Sequence, residues 1–330
     1  MQQARDARVA VLLATYNGTR FLEQQILSLA RNNHPFTLHW LDDHSTDDSR
    51  SMVRTLAQQA NIALRERHEQ NHLGVPVAFF NLLEKTEADI YLFCDQDDVW
   101  EAGKIDAVVA NLLPDLHSPV LCYTDPFIFR TNAPDQRYRL SEVMRVSPEV
   151  GVQESRLFMS VFANGHSQGF TRALRDIYLS HKDIARAYAY MHDEWMHVTA
   201  IACGQVRLLP SAPTTQYRWH GSNASGDYGG WKGKGRGRPT TTWKQQQSLR
   251  RALSRHAKGF LLAASTFPPS PKLDRLIEIA RLMSDIDQRL SPLACLRLLR
   301  QGMISPSRPL ALRFAAACLC SKAASANMGT

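Results

Sequence analysis

Asp95, Asp97 and Asp98 put three carboxylates within four positions, directly behind the apolar run Ile90-Tyr91-Leu92-Phe93-Cys94. Like charges gathered this closely repel one another, so holding them together is costly unless a cation sits among them. Carboxylate oxygens are hard ligands that select Mg²⁺ or Mn²⁺, ions that commonly bridge protein carboxylates to substrate phosphates. Two further apolar runs end in polar chemistry. Val9 to Ala14 leads into Thr15-Tyr16-Asn17-Gly18, and Thr37 to Leu41 leads into Asp42-Asp43-His44-Ser45-Thr46-Asp47. Ligands of an open parallel sheet bind outside the carboxyl ends of its strands. One acidic turn alone would read as a solvated loop. Three such strand ends together point to a nucleoside diphosphate held through a divalent ion.

The elements that position these ends follow from periodicity. Val9 to Ala14 is uninterruptedly apolar, as a strand buried on both faces requires. Phe21, Ile26 and Leu29 are spaced as on a helix, and Ser45-Thr46-Asp47-Asp48 offers capping groups for a helix through Gln59. Short strands are expected at Ile62–Leu64, Ile90–Cys94 and Val120–Thr124, with helices at Val77–Leu83 and Gly103–Leu113 between them. This alternation predicts an α/β fold with a Rossmann-like, mostly parallel sheet flanked by helices. Residues 126–230 loosen into loops, with helices near 171–180 and 193–203 and a strand at Val206–Leu209. Gly229 to Pro239 reads as a flexible basic linker, followed by amphipathic helices at Trp243–Leu262 and Lys272–Leu290. The expected organisation is a nucleotide-binding half (1–125), an acceptor-binding half of the same domain (126–230) and a basic, mainly helical C-terminal extension (231–330).

The 330 residues include 44% hydrophobic and 21% charged side chains, ordinary for a globular enzyme. Six cysteines lie in apolar context without a CxxC pair, which favours reduced thiols and a cytoplasmic setting over a disulfide framework or a zinc site. No signal peptide is read at the start, and no stretch approaches the roughly 18 to 20 apolar residues of a membrane span. The net charge of +8 is unevenly placed. Residues 1–230 carry 21 Lys and Arg against 27 Asp and Glu, a balance of −6; residues 231–330 carry 18 against 4, a balance of +14. A basic tail on an acidic body is expected to meet something anionic, such as the inner membrane face, or to be a solvated helical face.

The series ATYNG, DDHSTDDS, NHLG and DQDDVW, followed by NGHSQGFTRAL, HDEW and YRWHGSN, resembles the signature order of family 2 glycosyltransferases with the glycosyltransferase A fold. The likeness is to rhamnosyltransferase-like members that build bacterial surface polysaccharides, and it covers roughly residues 8 to 225. It implies an inverting transfer of a sugar from a nucleoside-diphosphate sugar, with L-rhamnose favoured, to a hydroxyl of a glycan or lipid-linked acceptor. By the same resemblance, Thr15, Tyr16 and Asn17 line the base and ribose pocket, Asp42 meets the base, and Asn71 and Gly74 border the nucleotide. Asp95 lies near the ribose, with Asp98 assisting or capping the next helix. Asp97 and His220 hold Mg²⁺ or Mn²⁺, and Arg218 neutralises the diphosphate. Asp193 is the general base, with Glu194 a surface or supporting group, and Gly165, Ser167 and Trp195 face the acceptor. His44 departs from the pattern, standing where the family commonly has glycine, which puts that turn's geometry in question.

Other classes fare worse. No GxGxxG joins the first strand to its helix, and no GxxxxGK[ST] occurs, so dinucleotide-binding dehydrogenases and P-loop NTPases are set aside. A metal-dependent nucleotidyltransferase also needs a strand-end acid cluster, but not the separate acid at 193. A nucleic-acid-binding protein acting through the basic tail is the non-enzymatic alternative. The acidic body opposes it, and no nucleic acid is expected as partner.

Overall fold

The computed structural model describes residues 7–144, 146–153, 163–220 and 243–285. Its main sheet has seven strands: β1 (Val9–Thr15), β2 (Thr37–Asp42), β3 (Ala63–Arg67), β4 (Ile90–Cys94), β6 (Val120–Tyr123), β9 (Gln168–Thr171) and β10 (Gln205–Leu208), in the order β10-β6-β9-β4-β1-β2-β3. β1 pairs in parallel with both β2 and β4, which explains its unbroken apolar run. Its side chains alternate between two cores. Val9, Val11 and Leu13 pack with α1 (Thr19–Leu29), α2 (Ser49–Gln59) and α4 (Lys104–Leu112). Ala10 and Leu12 face the opposite core, with α3 (Val77–Glu84), α6 (Arg172–Ser180) and α8 (His192–Cys203). Ile90, Leu92 and Cys94 against Tyr91 and Phe93 repeat the alternation on β4. Burying each such aromatic or aliphatic side chain is worth about 1.5–3 kcal/mol, enough to fix the register of both strands.

The expected parallel sheet is present, with one departure. β9 enters between β4 and β6 and runs antiparallel to both, so a strand from the region read as the acceptor half completes the sheet of the half read as nucleotide-binding. A second sheet of four strands, β5 (Val99–Trp100), β11 (Thr215–Trp219), β7 (Phe127–Arg130) and β8 (Ala133–Arg139), stands where loops were expected. It carries Arg218 on β11 and leads to His220.

The C-terminal helices are not a loose appendage over their described length. α9 (Trp243–Ala264) and α10 (Pro271–Ser284) pack on each other, and α9 also packs against α7 (Lys182–Tyr188). Leu253, Ala257, Phe260, Leu276 and Ile279 join the same core as Trp195 and Tyr178. Among the described residues, no helix is long and apolar enough to cross a membrane. The basic linker at 229–239 and the stretch from 286 onward, including the expected helix end at Leu290, lie outside the described residues.

Candidate active site

The carboxyl ends of β1, β2 and β4 open into one cleft with the loop around Gly165 and the start of α8. Its wall includes Tyr16, Asp43, Asp95, Asp97, Gly165, His192 and Asp193. The three strand ends are tied to one another before any ligand arrives. The Gln96 side-chain amide accepts from the Tyr16 N–H at 2.9 Å and donates to the Tyr16 carbonyl at 3.1 Å, locking the end of β1 to the loop after β4. Asn17, with φ 49°, accepts from the Thr46 N–H at 2.8 Å, and His44 adopts φ 66°. The turn after β2 therefore does need the left-handed conformation that glycine adopts most easily. Asp47 accepts from Thr19 and from the Ser49 N–H, joining the starts of α1 and α2. Asp48 occupies the cap position of α2 without capping it through its side chain.

At the strand ends expected to meet a nucleotide, the structure departs from several expectations. Thr15 lines the cleft, but its Oγ1 donates to Asp42 at 3.1 Å and accepts from the Trp40 indole at 3.0 Å, so the hydroxyl is already engaged within the protein. Asp42 is buried and accepts from Thr15, the Ser45 N–H at 3.0 Å and Arg50 Nε at 2.6 Å. Burial opposes its charge, but the bonds from Ser45 and Arg50 prevail and hold its carboxyl below the usual carboxylate range. With its oxygens spent inward, Asp42 does not present itself to a base. Its neighbour Asp43, to which the sequence assigned no role, does line the cleft. Asp43 accepts from the N–H groups of Leu73 (2.6 Å) and Gly74 (2.7 Å), and the imidazole of His72 lies 3.1 Å away. Gly74 has φ 69°, which lets its N–H turn towards that carboxylate. Tyr16 is 48% exposed and its ring lies 4.7 Å from that of His72, forming the rim. Asn17 ties turns together, Asn71 is exposed, and neither is part of the cleft wall.

The acidic tip divides its labour. Asp97 faces the cleft with its Oδ2 2.8 Å from His220 Nε2, and the His220 ring stacks on Phe21 at 4.7 Å. Asp95 also faces the cleft. Burial first, then the charges of Asp97 and Asp193, push its carboxyl up to about 8. Asp98 is fully buried; it neither faces the cleft nor caps α4, but accepts from the Arg218 N–H at 2.9 Å. Arg218 is corrected too. Its guanidinium donates to the Asp97 carbonyl at 2.7 Å and to Gln24, between the rings of Phe21 and Phe129. It braces the Asp97 loop rather than lining the cleft. Beneath them lies Lys104, fully buried, donating to Thr215 Oγ1 at 2.7 Å and to the His166 carbonyl, with its ammonium 3.6 Å from the Trp100 ring centre. Burial lowers its ammonium to about 7 despite the nearby Cys94, Asp98 and Asp95.

Opposite the acidic tip, Asp193 occupies the first turn of α8. Its Oδ2 accepts from the Gly165 N–H at 2.7 Å and its Oδ1 from the Glu194 N–H at 2.9 Å. The carboxylate is thus aimed by the backbone of a loop and of a helix start, where a negative charge is favoured. Ser167 and Trp195 do not face an acceptor. Ser167 is fully buried and donates to the Asn164 carbonyl. Trp195 is 1% exposed and meets His256 edge-on at 5.4 Å in the core. Glu194 is no surface group: its carboxyl is buried, which pushes its proton affinity well above the usual range, with Asp193 adding to it.

Asp97 and His220 offer one oxygen and one nitrogen to a divalent ion. Among the described residues, no group of three His, Cys, Asp or Glu side chains is gathered into a cage. Two protein ligands suit Mg²⁺ or Mn²⁺, which keep waters and take the rest of their shell from substrate phosphates. Cleft, acid pair and separate acid together can hold a phosphorylated ligand at one end and accept a proton at the other.

Comparison with known proteins bears on the fold and family. Residues 10–166 match the family model described as Glycosyl transferase family 2. A putative teichuronic acid biosynthesis glycosyltransferase, TuaG, of Bacillus subtilis is 26% identical over 102 residues, 30% of this chain and 39% of that protein. The matched segments span about a third of the length of the curated relatives. Among solved structures, S. aureus TarS 1-349 in complex with UDP-GlcNAc superposes with TM-score 0.54 at 16% identity, covering 95% of this chain and 88% of that one. The mannosyltransferase PcManGT of Pyrobaculum calidifontis, in complex with GDP-Man and Mn²⁺, gives TM-score 0.52 at 18% identity, covering 97% and 80%. At these identities the shared feature is the fold.

Proposed function

Because this chain carries a family 2 glycosyltransferase domain in the glycosyltransferase A fold, we propose that it is an inverting, metal-dependent glycosyltransferase acting on a nucleoside-diphosphate sugar. The acceptor is a hydroxyl of a glycan or lipid-linked molecule in the synthesis of a bacterial surface polysaccharide, a reading supported by the likeness to TuaG. The observation that supports the proposal most is that Asp193 lines the same cleft as Asp95 and Asp97, the last of which lies 2.8 Å from His220 Nε2.

In this mechanism the nucleoside lies along Tyr16 and Asp43, and Asp95 lies between the nucleoside and the sugar. Asp193 takes the proton of the acceptor hydroxyl as its oxygen bonds to the sugar's anomeric carbon. The bond from that carbon to the diphosphate breaks on the opposite face, so the configuration inverts. Mg²⁺ or Mn²⁺, held by Asp97 and His220, would supply neutralisation of the charge developing on the leaving diphosphate. Gly165 and Glu194 hold the base through its two backbone bonds. Lys104 and Arg218 brace the loops without touching substrate.

L-rhamnose, carried by dTDP, is the favoured donor. The apolar stretch of the wall at Val75, Ala78, Phe79 and Met191 suits the methyl group of a 6-deoxy sugar. The exposed side chains of α9, among them Leu249, Arg251, Arg255 and Leu262, fit contact with an anionic membrane face, where a lipid-linked acceptor is reached. The test is to follow the products from dTDP-L-rhamnose, UDP-GlcNAc and GDP-mannose by proton NMR. Transfer, or slow hydrolysis, should first yield sugar of anomeric configuration opposite to the donor. A first product of retained configuration would refute single displacement.

A further inference from the structure

We infer that His192 reads a hydroxyl group of the transferred sugar and so helps set donor specificity. The inference rests on the proposed glycosyltransferase reading and deepens it. His192 is 2% exposed, yet it contributes to the cleft wall beside Asp193 and Gly165. Neither of its ring nitrogens has a hydrogen-bond partner among the described residues. Buried polar atoms are nearly always satisfied, and an exception inside a binding cleft calls for a partner that arrives with the ligand. The ring itself is fixed. Phe79 stacks on it at 4.0 Å and 14°, and the rings of Phe93 and His192 form a T-shaped pair at 4.5 Å and 85°. With the ring held by both phenylalanines, its hydrogen bonding is left to the two nitrogens on its rim.

Gly165 belongs to the same feature. A Cβ built there would lie 2.9 Å from His192 Nε2 and 3.6 Å from Asp193 Oδ2. Any side chain at 165 would press on the edge that glycine leaves open. Burial keeps His192 neutral by lowering its imidazole to about 4, although Asp193 opposes this. A neutral imidazole offers one donor and one acceptor, which matches the two roles of a sugar hydroxyl. Depth separates donor from acceptor. Tyr16 forms the exposed rim and Asp193 is half-buried, whereas His192 lies below them. A group beneath the base meets the sugar that occupies the cleft floor, while the attacking hydroxyl approaches from the mouth.

The experiment is calorimetry on the full chain with Mn²⁺, using dTDP-L-rhamnose, UDP-GlcNAc and GDP-mannose as probes and the matching bare nucleoside diphosphates as references. His192→Phe keeps the ring and its stacking but removes both nitrogens. It should weaken the best sugar nucleotide about five- to tenfold and change the bare diphosphate less than about twofold. His192→Gln, which restores a polar group near Nε2, should recover part of the loss. Equal effects of His192→Phe on both ligands, or none on either, would overturn the inference. Should the phenylalanine variant not fold, His192→Asn, too short to reach the Nε2 position, is read by the same ratio. A wild-type chain that binds no nucleotide at all would instead defeat the parent reading.

Discussion

Replacing Asp193 by asparagine tests the base with the least disturbance of the site. The side chain keeps its shape, and one amide oxygen can still accept from the Gly165 N–H now 2.7 Å from Oδ2. The amide NH₂ must then face the Glu194 N–H, which at present donates to Oδ1 at 2.9 Å. That lost bond costs about 0.5–1.5 kcal/mol and affects folding and both states of the reaction alike. The chemical loss is larger and separate. Without a proton acceptor the attacking hydroxyl must lose its proton unaided, and positioned general bases contribute roughly 10²- to 10⁴-fold, about 3 to 5.5 kcal/mol of barrier. The assay is release of nucleoside diphosphate from the best donor at saturation, paired with calorimetric binding of that donor. The expected result is a fall in kcat of at least about a hundredfold, with donor affinity within about threefold of wild type. Unchanged kcat would refute Asp193 as base and revive a nucleotidyltransferase, which has no use for a separate acid there.

Acid should destabilise the fold earlier than carboxylate titration alone would. His166 and His256 are held down to about 3, and His192 and His197 to about 4, in each case first by burial. Since these folded values lie below the unfolded histidine value, the unfolded chain binds the protons more tightly. Stability is therefore full above about pH 6.5 and falls as the pH drops from there towards 4, by about 2 kcal/mol per histidine at pH 5. Thermal melts from pH 8 to 4.5 should show this decline, and replacing His256 by Gln should flatten it; a melting temperature constant down to pH 5 would contradict the burial argument. The full chain should float with anionic vesicles at low salt, and Arg251→Glu with Arg255→Glu should reduce recovery severalfold. Equal recovery of wild type and variant would remove the membrane proposal.

How far the sequence could be read depended on what each segment buries. β1 and β4 were legible because a strand covered on both faces is apolar at every position, whatever lies around it. β9, with the sequence Gln-Gly-Phe-Thr, and the two-residue β5 bear no such run; their pairing is a tertiary event. The acidic strand ends were legible as a group, but Asp42 and Asp43 were not separable. Which of two adjacent carboxylates turns inward depends on Arg50 and Ser45 on one side and on the Leu73–Gly74 backbone on the other. Trp195 could have been placed better, since residues two apart on a helix point about 200° from each other and Asp193 already claims the cleft face. Lys104 gave no sequence signal, because a lysine in the first turn of a helix ordinarily lies in solvent.

The central claim is that the tip after Cys94 grips a divalent ion that tethers a sugar nucleotide's diphosphate. Titrating the nucleoside diphosphate of the best donor with Mn²⁺ and again in excess EDTA measures this directly, on wild type and on Asp97→Asn and His220→Ala. Binding at least about tenfold tighter with Mn²⁺ is expected, a gain that falls below about threefold in either variant. Equal affinity with and without the metal, or a metal-dependent gain untouched by both substitutions, would contradict it.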